Sequence, residues 1–268
     1  MAQSLPDSVR TTLDLSQDSH IHTRLCNHAT GEMEEYVLAA LNKGLQTIIF
    51  LEHLEEKTVY FERTWLTEAD FSYYFGEGRR LQKEYRDRLT IKLGVEIGFN
   101  PQAVDMLREK IARYPWEHIG LSYHYYHTGT EHLNMVSRRQ KNIDMLAALG
   151  ADKVISDYFS GLIQGINSLN CNAVCHLDAV MRHYPGLKFN ASHMEQIDRI
   201  LELIKQKKMS LEINTSGFPL RNEPYPGRTI LKKAMDRNIN LLAGSDAHHP
   251  DQVGRYFDRL PALLASLG

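Results

Sequence analysis

Cysteine, net charge and long apolar runs are what this sequence lacks, and each absence argues against a class of protein. Three cysteines, Cys26, Cys171 and Cys175, stand among 268 residues. They are odd in number and without Cys-x-x-Cys spacing, which argues against a disulfide framework or a thiolate zinc site and leaves buried or incidental thiols. No apolar run reaches the roughly 18 residues of a spanning helix, and residues 1–13 lack the charged start and apolar core of a signal peptide. A soluble cytoplasmic protein with no membrane partner is expected. Lysine and arginine total 31 against 33 for aspartate and glutamate, a net charge of -2. With no basic, aromatic-interleaved stripe either, no nucleic-acid partner is expected, and any anionic ligand has to be held by local charge. No linker, repeat or low-complexity stretch divides the chain, so residues 1–268 read as a single domain. A Ser-His-Asp arrangement, a nucleophile elbow and a phosphate-cradling glycine loop are also absent. Gly76-Glu77-Gly78 is a lone Gly-x-Gly in a helical insert and is expected to break that helix.

What the sequence does hold is histidine in telling places. His20 and His22 lie two apart, and Asp246 and His248 in Gly244-Ser245-Asp246-Ala247-His248 repeat that spacing more than two hundred residues later. In a strand, side chains at i and i+2 share a face, so each segment can aim two ligand atoms at one point. A lone His-x-His is an ordinary surface or core feature, so the case rests on the rest of the chain. Apolar, β-branched runs predict strands over 13–22, 47–53, 90–98, 118–124, 173–177, 209–214 and 239–248. Helical spacing predicts helices over 32–43, 67–88, 136–149, 154–169, 192–207, 226–237 and 251–267. This alternation implies a parallel sheet with right-handed crossovers, closed into a barrel. His20, His22, His53, Glu96, His124, His176, Asp246 and His248 all fall at carboxyl ends of predicted strands, the face on which barrels build active sites. Imidazoles and carboxylates crowded there repel or desolvate one another unless cations hold them. Nitrogen with carboxylate oxygen suits zinc, manganese or ferrous iron alike.

At this point the sequence resembles the polymerase and histidinol phosphatase (PHP) family, most closely its monofunctional histidinol-phosphatase branch. Asp18-Ser19-His20-Ile21-His22-Thr23 followed by Cys26-Asn27-His28 is similar to the family's opening motif, and Glu52-His53 to its second. Gly94-Val95-Glu96, His124, Cys175-His176-Leu177-Asp178, Glu212-Ile213-Asn214-Thr215-Ser216-Gly217 and the segment ending in His248 follow in family order. The resemblance covers nearly the whole chain. It implies an α/β fold, a distorted seven-stranded (β/α)7 TIM-like barrel, carrying three divalent metal ions (Zn, Mn or Fe). By the same resemblance, His20, His22, Glu96 and Asp246 hold one ion. Glu96 bridges to a second held by His124 and His176, and His28, His53 and His248 hold the third. Glu96, Asp246 and His248 are the expected catalytic residues. The implied reaction is hydrolysis of a phosphate monoester, L-histidinol phosphate in histidine biosynthesis, by in-line attack of a hydroxide shared between two ions.

A small phosphate ester needs positive charge near the rim. Arg182 and Arg221 follow strand ends and are expected to bind it, because guanidinium can grip phosphate through two bonds; Arg24 is a weaker choice. Asn214 is expected to line the pocket. Asp18 is expected to accept the second N–H of a ligand histidine, and Glu212, Tyr125 and Tyr126 are possible partners for the substrate's amine and imidazole. His127, His132, His183, His193 and His249 match no family ligand position; His193 follows Ser192 at a helix start, where a capping or solvent-facing role is expected. One departure stands out. The family usually has Gly-Ser-Val-His where this chain has Gly120-Leu121-Ser122-Tyr123-His124-Tyr125-Tyr126; the ligand histidine stays while its surroundings change, and the aromatic, histidine-rich residues 123–139 are expected to line the substrate pocket. The alternatives are another small phosphate ester or a nucleotide, metal-dependent amide hydrolysis on a similar barrel, and a non-catalytic metal-binding barrel.

Overall fold

The computed structural model describes residues 13–268. Seven strands form one all-parallel sheet: β1 (Gln17–Ile21), β2 (Thr47–Glu55), β3 (Thr90–Gly98), β4 (His118–Ser122), β7 (Ala173–Val174), β8 (Ser210–Asn214) and β9 (Asn240–Gly244). Their spatial order is their chain order. β5 (Tyr125–His127) and β6 (His132–Asn134) form a separate antiparallel hairpin directly after β4. The barrel closes past the end of β9, where Ala247 bridges Ile21: His22 N–H donates to the Ala247 carbonyl at 2.9 Å, and Ala247 N–H to that of His20 at 3.3 Å.

Period two along the strands sorts the residues into an apolar outside and a polar inside. Ile48, Phe50 and Leu54 of β2, Leu93, Val95 and Ile97 of β3, and Leu211 and Ile213 of β8 belong to the large cluster packed under the helices. On the other face of β2, Ile49 and Leu51 form only a small cluster with Cys175, and His53 and Glu55 continue that face. β3 turns Gly94, Glu96 and Gly98 the same way. A side chain at Gly94 would meet Leu51, and one at Gly120 would meet Cys175 Sγ at 2.5 Å. The barrel interior is therefore a thin apolar plug with polar groups above it, at the carboxyl ends of the strands.

The surrounding helices are α1 (Met33–Asn42), α2 (Glu68–Tyr85), α3 (Val104–Arg113), α4 (Gln140–Ala148), α5 (Ala151–Ser168), α6 (Ala191–Gln206), the short α7 (Phe218–Arg221), α8 (Arg228–Asp236) and α9 (Leu260–Ala265). α1 buries Met33, Tyr36, Val37 and Ala40, and reciprocal bonds between Glu32 and Glu35 cap its start. Thr67 and Asp70 cap α2 in the same way. α2 runs unbroken through Gly76 and Gly78, so the expected break is corrected. Gly78 serves packing instead, since a Cβ there would lie 2.4 Å from Leu93 Cδ2.

Other differences have local causes. The helix expected over 251–267 is reduced to α9 because Gly254 and Tyr256 take φ of 59° and leave only 3-10 turns before it. The strands expected to reach His176 and His248 stop earlier, at Val174 and Gly244, because His176 and Asp246 have positive φ. α3 and the β5–β6 hairpin were not expected. Among the described residues no helix is long and apolar enough to cross a membrane.

Candidate metal centre

All nine expected ligand residues converge above the plug. His20 lies on β1, His53 on β2 and Glu96 on β3; His22, His124, His176 and Asp246 lie one or two residues past their strands; His28 comes from the loop after β1, and His248 from the loop after β9. Glu96, fully buried, is the hub. Its Oε1 lies 2.8 Å from His176 Nε2 and 3.2 Å from His124 Nε2. Its Oε2 lies 2.9 Å from His53 Nδ1 and 3.5 Å from Nε2 of both His20 and His22. Asp246 Oδ1 stands 3.5 Å from His22 Nε2 and 3.8 Å from His20 Nε2.

The ring nitrogens face one another in a way hydrogen bonding does not satisfy. His28 Nδ1 lies 2.9 Å from the Cys26 carbonyl and His248 Nδ1 3.0 Å from that of Asp246, so each neutral ring donates there and offers a bare Nε2. Those two Nε2 atoms are 2.8 Å apart. His20 repeats the pattern: Nδ1 donates to Glu212 Oε1 at 2.6 Å, and Nε2 lies 2.8 Å from His22 Nε2. Glu96 Oε2, His22 Nδ1 and His176 Nδ1 are buried without any hydrogen bond. Ligand atoms of His20, His22 and Asp246, of His22, His53 and Glu96, and of His28, His53 and His248 each lie within 4.8 Å of one another. Opposed lone pairs around a buried carboxylate fit divalent cations and fit little else.

Electrostatics divide the rings: against burial, Glu212 and Glu96 hold His20 well above its usual range, and Glu96 and Glu55 push His124 up to about 10, so these two release a proton when they bind a metal. Burial disfavours charge on Glu96, but the imidazoles of His124, His20 and His53 outweigh it and hold the carboxyl well below its usual range. Asp246 is held down likewise, against burial, by its bond from His22 and by His20 and His248. Burial, then the neighbouring His53, lowers His28 to about 4; burial lowers His248 to about 4, with Asp246 opposing. These rings are neutral at pH 7, the state that binds a metal.

Seven of the nine, all but the fully buried His20 and His22, floor or edge a cavity of about 550 Å³, whose walls include Tyr60, Glu62, Tyr125, Arg138, Arg182 and Arg255. Arg182 is where the sequence put it, with Nε donating to the Val136 carbonyl at 3.1 Å. Arg221 and Asn214 are not among the lining residues, a correction with a clear cause. Arg221 is bound to Asp178 and to the Pro224 carbonyl. Asn214 is fully buried, donating to Glu212 Oε2 at 3.2 Å and accepting from Ser216 N–H at 3.0 Å. Arg24 pairs with Glu32.

Asp18 does not touch a histidine ring. It accepts backbone N–H groups of His20 at 3.3 Å, Ser245 at 2.9 Å and Gly254 at 2.8 Å, tying the first loop to the last. The residues that do hold ligand rings are Glu212, on His20, and Glu55, which accepts from His124 Nδ1 at 2.8 Å. Glu212 is thus taken from the substrate role considered for it, and Tyr126 is bound to Asp157 at 2.8 Å. Glu55 was missed although it lies two residues past His53, the same i, i+2 signal that marked the histidines. Arg138 and Arg255 were also missed. Arg255 donates to the Ser245 and Asp246 carbonyls at 2.9 and 3.0 Å, and only folding brings it there.

His193 caps α6, accepting the Asn190 N–H at 3.3 Å, and is buried rather than solvent-facing. His249 caps the turn at Pro250. His132 accepts the Val59 N–H at 3.0 Å, and His127 contacts Gln102. His183 lines the cavity. All three cysteines are buried and free.

Comparison with known proteins gives a consistent picture. The sequence profile described as PHP domain matches residues 18–216, and one described as PHP-associated matches 228–261. A probable histidinol-phosphatase of Deinococcus radiodurans is 29% identical over 246 residues, 90% of this chain and 89% of the relative. The histidinol-phosphatase of Bacillus subtilis is 26% identical over 262 residues, 90% of this chain and 97% of the relative. Among solved structures, a histidinol phosphate phosphatase of Lactococcus lactis, complexed with Zn, L-histidinol and phosphate, superposes with a TM-score of 0.73 at 23% identity, covering 94% of this chain and 93% of the other. A candidate histidinol phosphatase of Listeria monocytogenes superposes with a TM-score of 0.83, also at 23% identity, covering 91% of this chain and 99% of the other. At that identity the two structures share the fold with this chain.

Proposed function

We propose that this chain, which belongs to the PHP family, is a metal-dependent phosphatase that hydrolyses L-histidinol phosphate to L-histidinol and inorganic phosphate. One observation carries the metal dependence: the bare Nε2 atoms of His28 and His248, opposed at 2.8 Å, beside a His20 to His22 Nε2 contact of the same length at the buried carboxylate of Glu96. The substrate rests on relatives bearing that name over about nine-tenths of this chain, and on the histidinol and phosphate complex of the Lactococcus protein.

In this reading His20, His22, Glu96 and Asp246 hold one divalent ion. Glu96, His124 and His176 hold a second, and His28, His53 and His248 a third, the ions being zinc, manganese or iron. Bound there, they supply Lewis acidity toward the phosphate oxygens and toward water. The chain's own residues do the rest. Glu96 has two oxygens facing different histidines, so it can join neighbouring sites. Arg182 and Arg255, on the cavity wall, add positive charge that the neutral chain as a whole lacks. Tyr60 and Tyr125, with ring centroids 5.1 Å apart, give one wall an aromatic surface against which an imidazole can stack. Glu62 on the same rim, paired with Arg139 at 2.6 Å through Oε2, leaves its other carboxylate oxygen for an ammonium group.

The test is phosphate release from L-histidinol phosphate by metal-reconstituted protein, beside sugar phosphates, nucleotides and p-nitrophenyl phosphate. Selective turnover that stops after chelation and returns with metal is expected. Turnover of other esters alone would overturn the substrate assignment, and no metal-dependent hydrolysis of any ester would overturn the reaction.

A further inference from the structure

Two glycines on the inner face of the barrel lie beneath buried carboxylates that bond histidine rings of the expected metal set. Glu55, the last residue of β2, is the register partner of Gly98 on β3. Its carboxylate sits so low over Gly98 that a Cβ there would fall 1.9 Å from Oε1, and that oxygen accepts from His124 Nδ1 at 2.8 Å. Elsewhere around the barrel, a Cβ at Gly244 would fall 2.1 Å from Glu212 Oε1, the oxygen that accepts from His20 Nδ1 at 2.6 Å. Neither glycine has a positive φ. Backbone conformation therefore does not require glycine at either place, and the space does.

We propose that Gly98, Glu55 and His124, and likewise Gly244, Glu212 and His20, form two positioning relays for the metal centre, an inference that rests on the metal reading above. A neutral imidazole carries its proton on one nitrogen only. A carboxylate fixed on the Nδ1 side sets that tautomer, stops ring rotation and leaves Nε2 as the free donor. Both Nε2 atoms do point inward, His124 to Glu96 Oε1 at 3.2 Å and His20 to Glu96 Oε2 at 3.5 Å. The glycine is what lets the carboxylate lie flat enough to reach the ring. Glu212 adds a second hold: its Oε2 accepts the His176 N–H at 2.8 Å, so one carboxylate orients one ligand by its ring and another by its backbone.

Metal binding itself reads out the relay. Glu55→Ala, Glu55→Gln, Gly98→Ala and the double variant Gly98→Ala/Glu55→Ala are compared with the native chain for zinc or manganese equivalents retained and for affinity in competition with a chelating dye, with circular dichroism to report folding. Glu55→Ala weakens one site by about 10- to 100-fold, and Glu55→Gln, whose amide oxygen still accepts, loses less. Gly98→Ala matches Glu55→Ala although its carboxylate is intact, and the double variant is no worse than either. If Gly98→Ala fails to fold and the double variant folds, the seat is equally supported; if both fail, the glycine serves something else and the seat is overturned. Folded variants that hold metal as tightly as the native chain overturn the relay and leave the metal centre standing. A native chain that binds no metal overturns both.

Discussion

Arg221 grips Asp178 through two nearly equal bonds, Nη1 to Oδ2 at 3.0 Å and Nη2 to Oδ1 at 3.1 Å, over the ring of Tyr225. Asp178 is buried, 3% exposed, and also accepts the Gly227 N–H at 3.0 Å. This arginine braces the strand end carrying His176 against the segment before α8. Removing it leaves a carboxylate without its counter-charge in the interior. Arg221→Ala is expected to cost about 3–5 kcal/mol of stability, read by urea unfolding; a loss below about 1 kcal/mol would contradict the bracing role.

Arg182 should behave differently, since it lines the cavity and, among the described residues, its guanidinium bonds only the Val136 carbonyl. A charged bond to phosphate contributes about 1.5–3 kcal/mol, so Arg182→Ala should raise KM and weaken inhibition by inorganic phosphate by about ten- to a hundredfold while stability changes little. Steady-state kinetics with phosphate as inhibitor check this. Unchanged inhibition would remove Arg182 from the site.

Among the described residues, Glu96 is the one carboxylate that faces His20, His22, His53, His124 and His176 together. Glu96→Gln keeps the shape and loses the charge, and activity should fall at least about a thousandfold, with less metal retained after dialysis. Near-native turnover would show that the centre does not depend on this bridge.

Gly76 and Gly78 sit two apart in α2 yet call for substitutions of opposite sign. Nothing lies within 4 Å of a Cβ at Gly76, whereas one at Gly78 strikes Leu93 at 2.4 Å. Gly76→Ala should stabilise by about 0.5–1 kcal/mol through helix propensity. Gly78→Ala should destabilise by about 1–2 kcal/mol as overpacking outweighs the same gain. Thermal melts of the two variants decide it; equal shifts would refute the packing role.

Acid should destabilise the metal-free protein in a predictable window. Burial, then Lys92 and His20, lower His118 to about 4, and burial with Arg182 and Arg138 lowers His183 likewise. An unfolded histidine takes its proton near 6.5. The folded state refuses protons that the unfolded chain accepts, so this stability is complete above pH 6.5 and is lost as pH falls toward 4. His118→Gln should flatten that slope by on the order of 1–3 kcal/mol across the window. An unaltered pH profile of unfolding would discount His118.

The barrel was legible because it rests on short-range periodicity, as was the gathering of His20, His22, Asp246 and His248 at one end of it, whereas His28 joined the expected set through the family resemblance alone. Alternation along β2 and β3 and the i, i+2 spacing of His20 with His22 need no knowledge of distant contacts. Roles that depend on where two loops meet were not legible. Arg221 and Arg182 look alike in sequence as arginines beyond strand ends, and only the position of Asp178 separates a brace from a cavity wall. Asp18 was read as a ring partner because it stands beside His20, yet its two oxygens take backbone N–H groups from residues more than two hundred positions away. The hairpin of β5 and β6 was hidden because three-residue strands are too short to show a period.

The seam between Ile21 and Ala247 joins the first barrel strand to the segment after the last. During synthesis, His20 and His22 leave the ribosome long before Asp246 and His248, and until those emerge the ring has no closing wall. The finished centre therefore certifies that synthesis has passed residue 248: a product released before residue 246 lacks both the seam and the residues that complete the ring, whatever the state of its first two hundred residues.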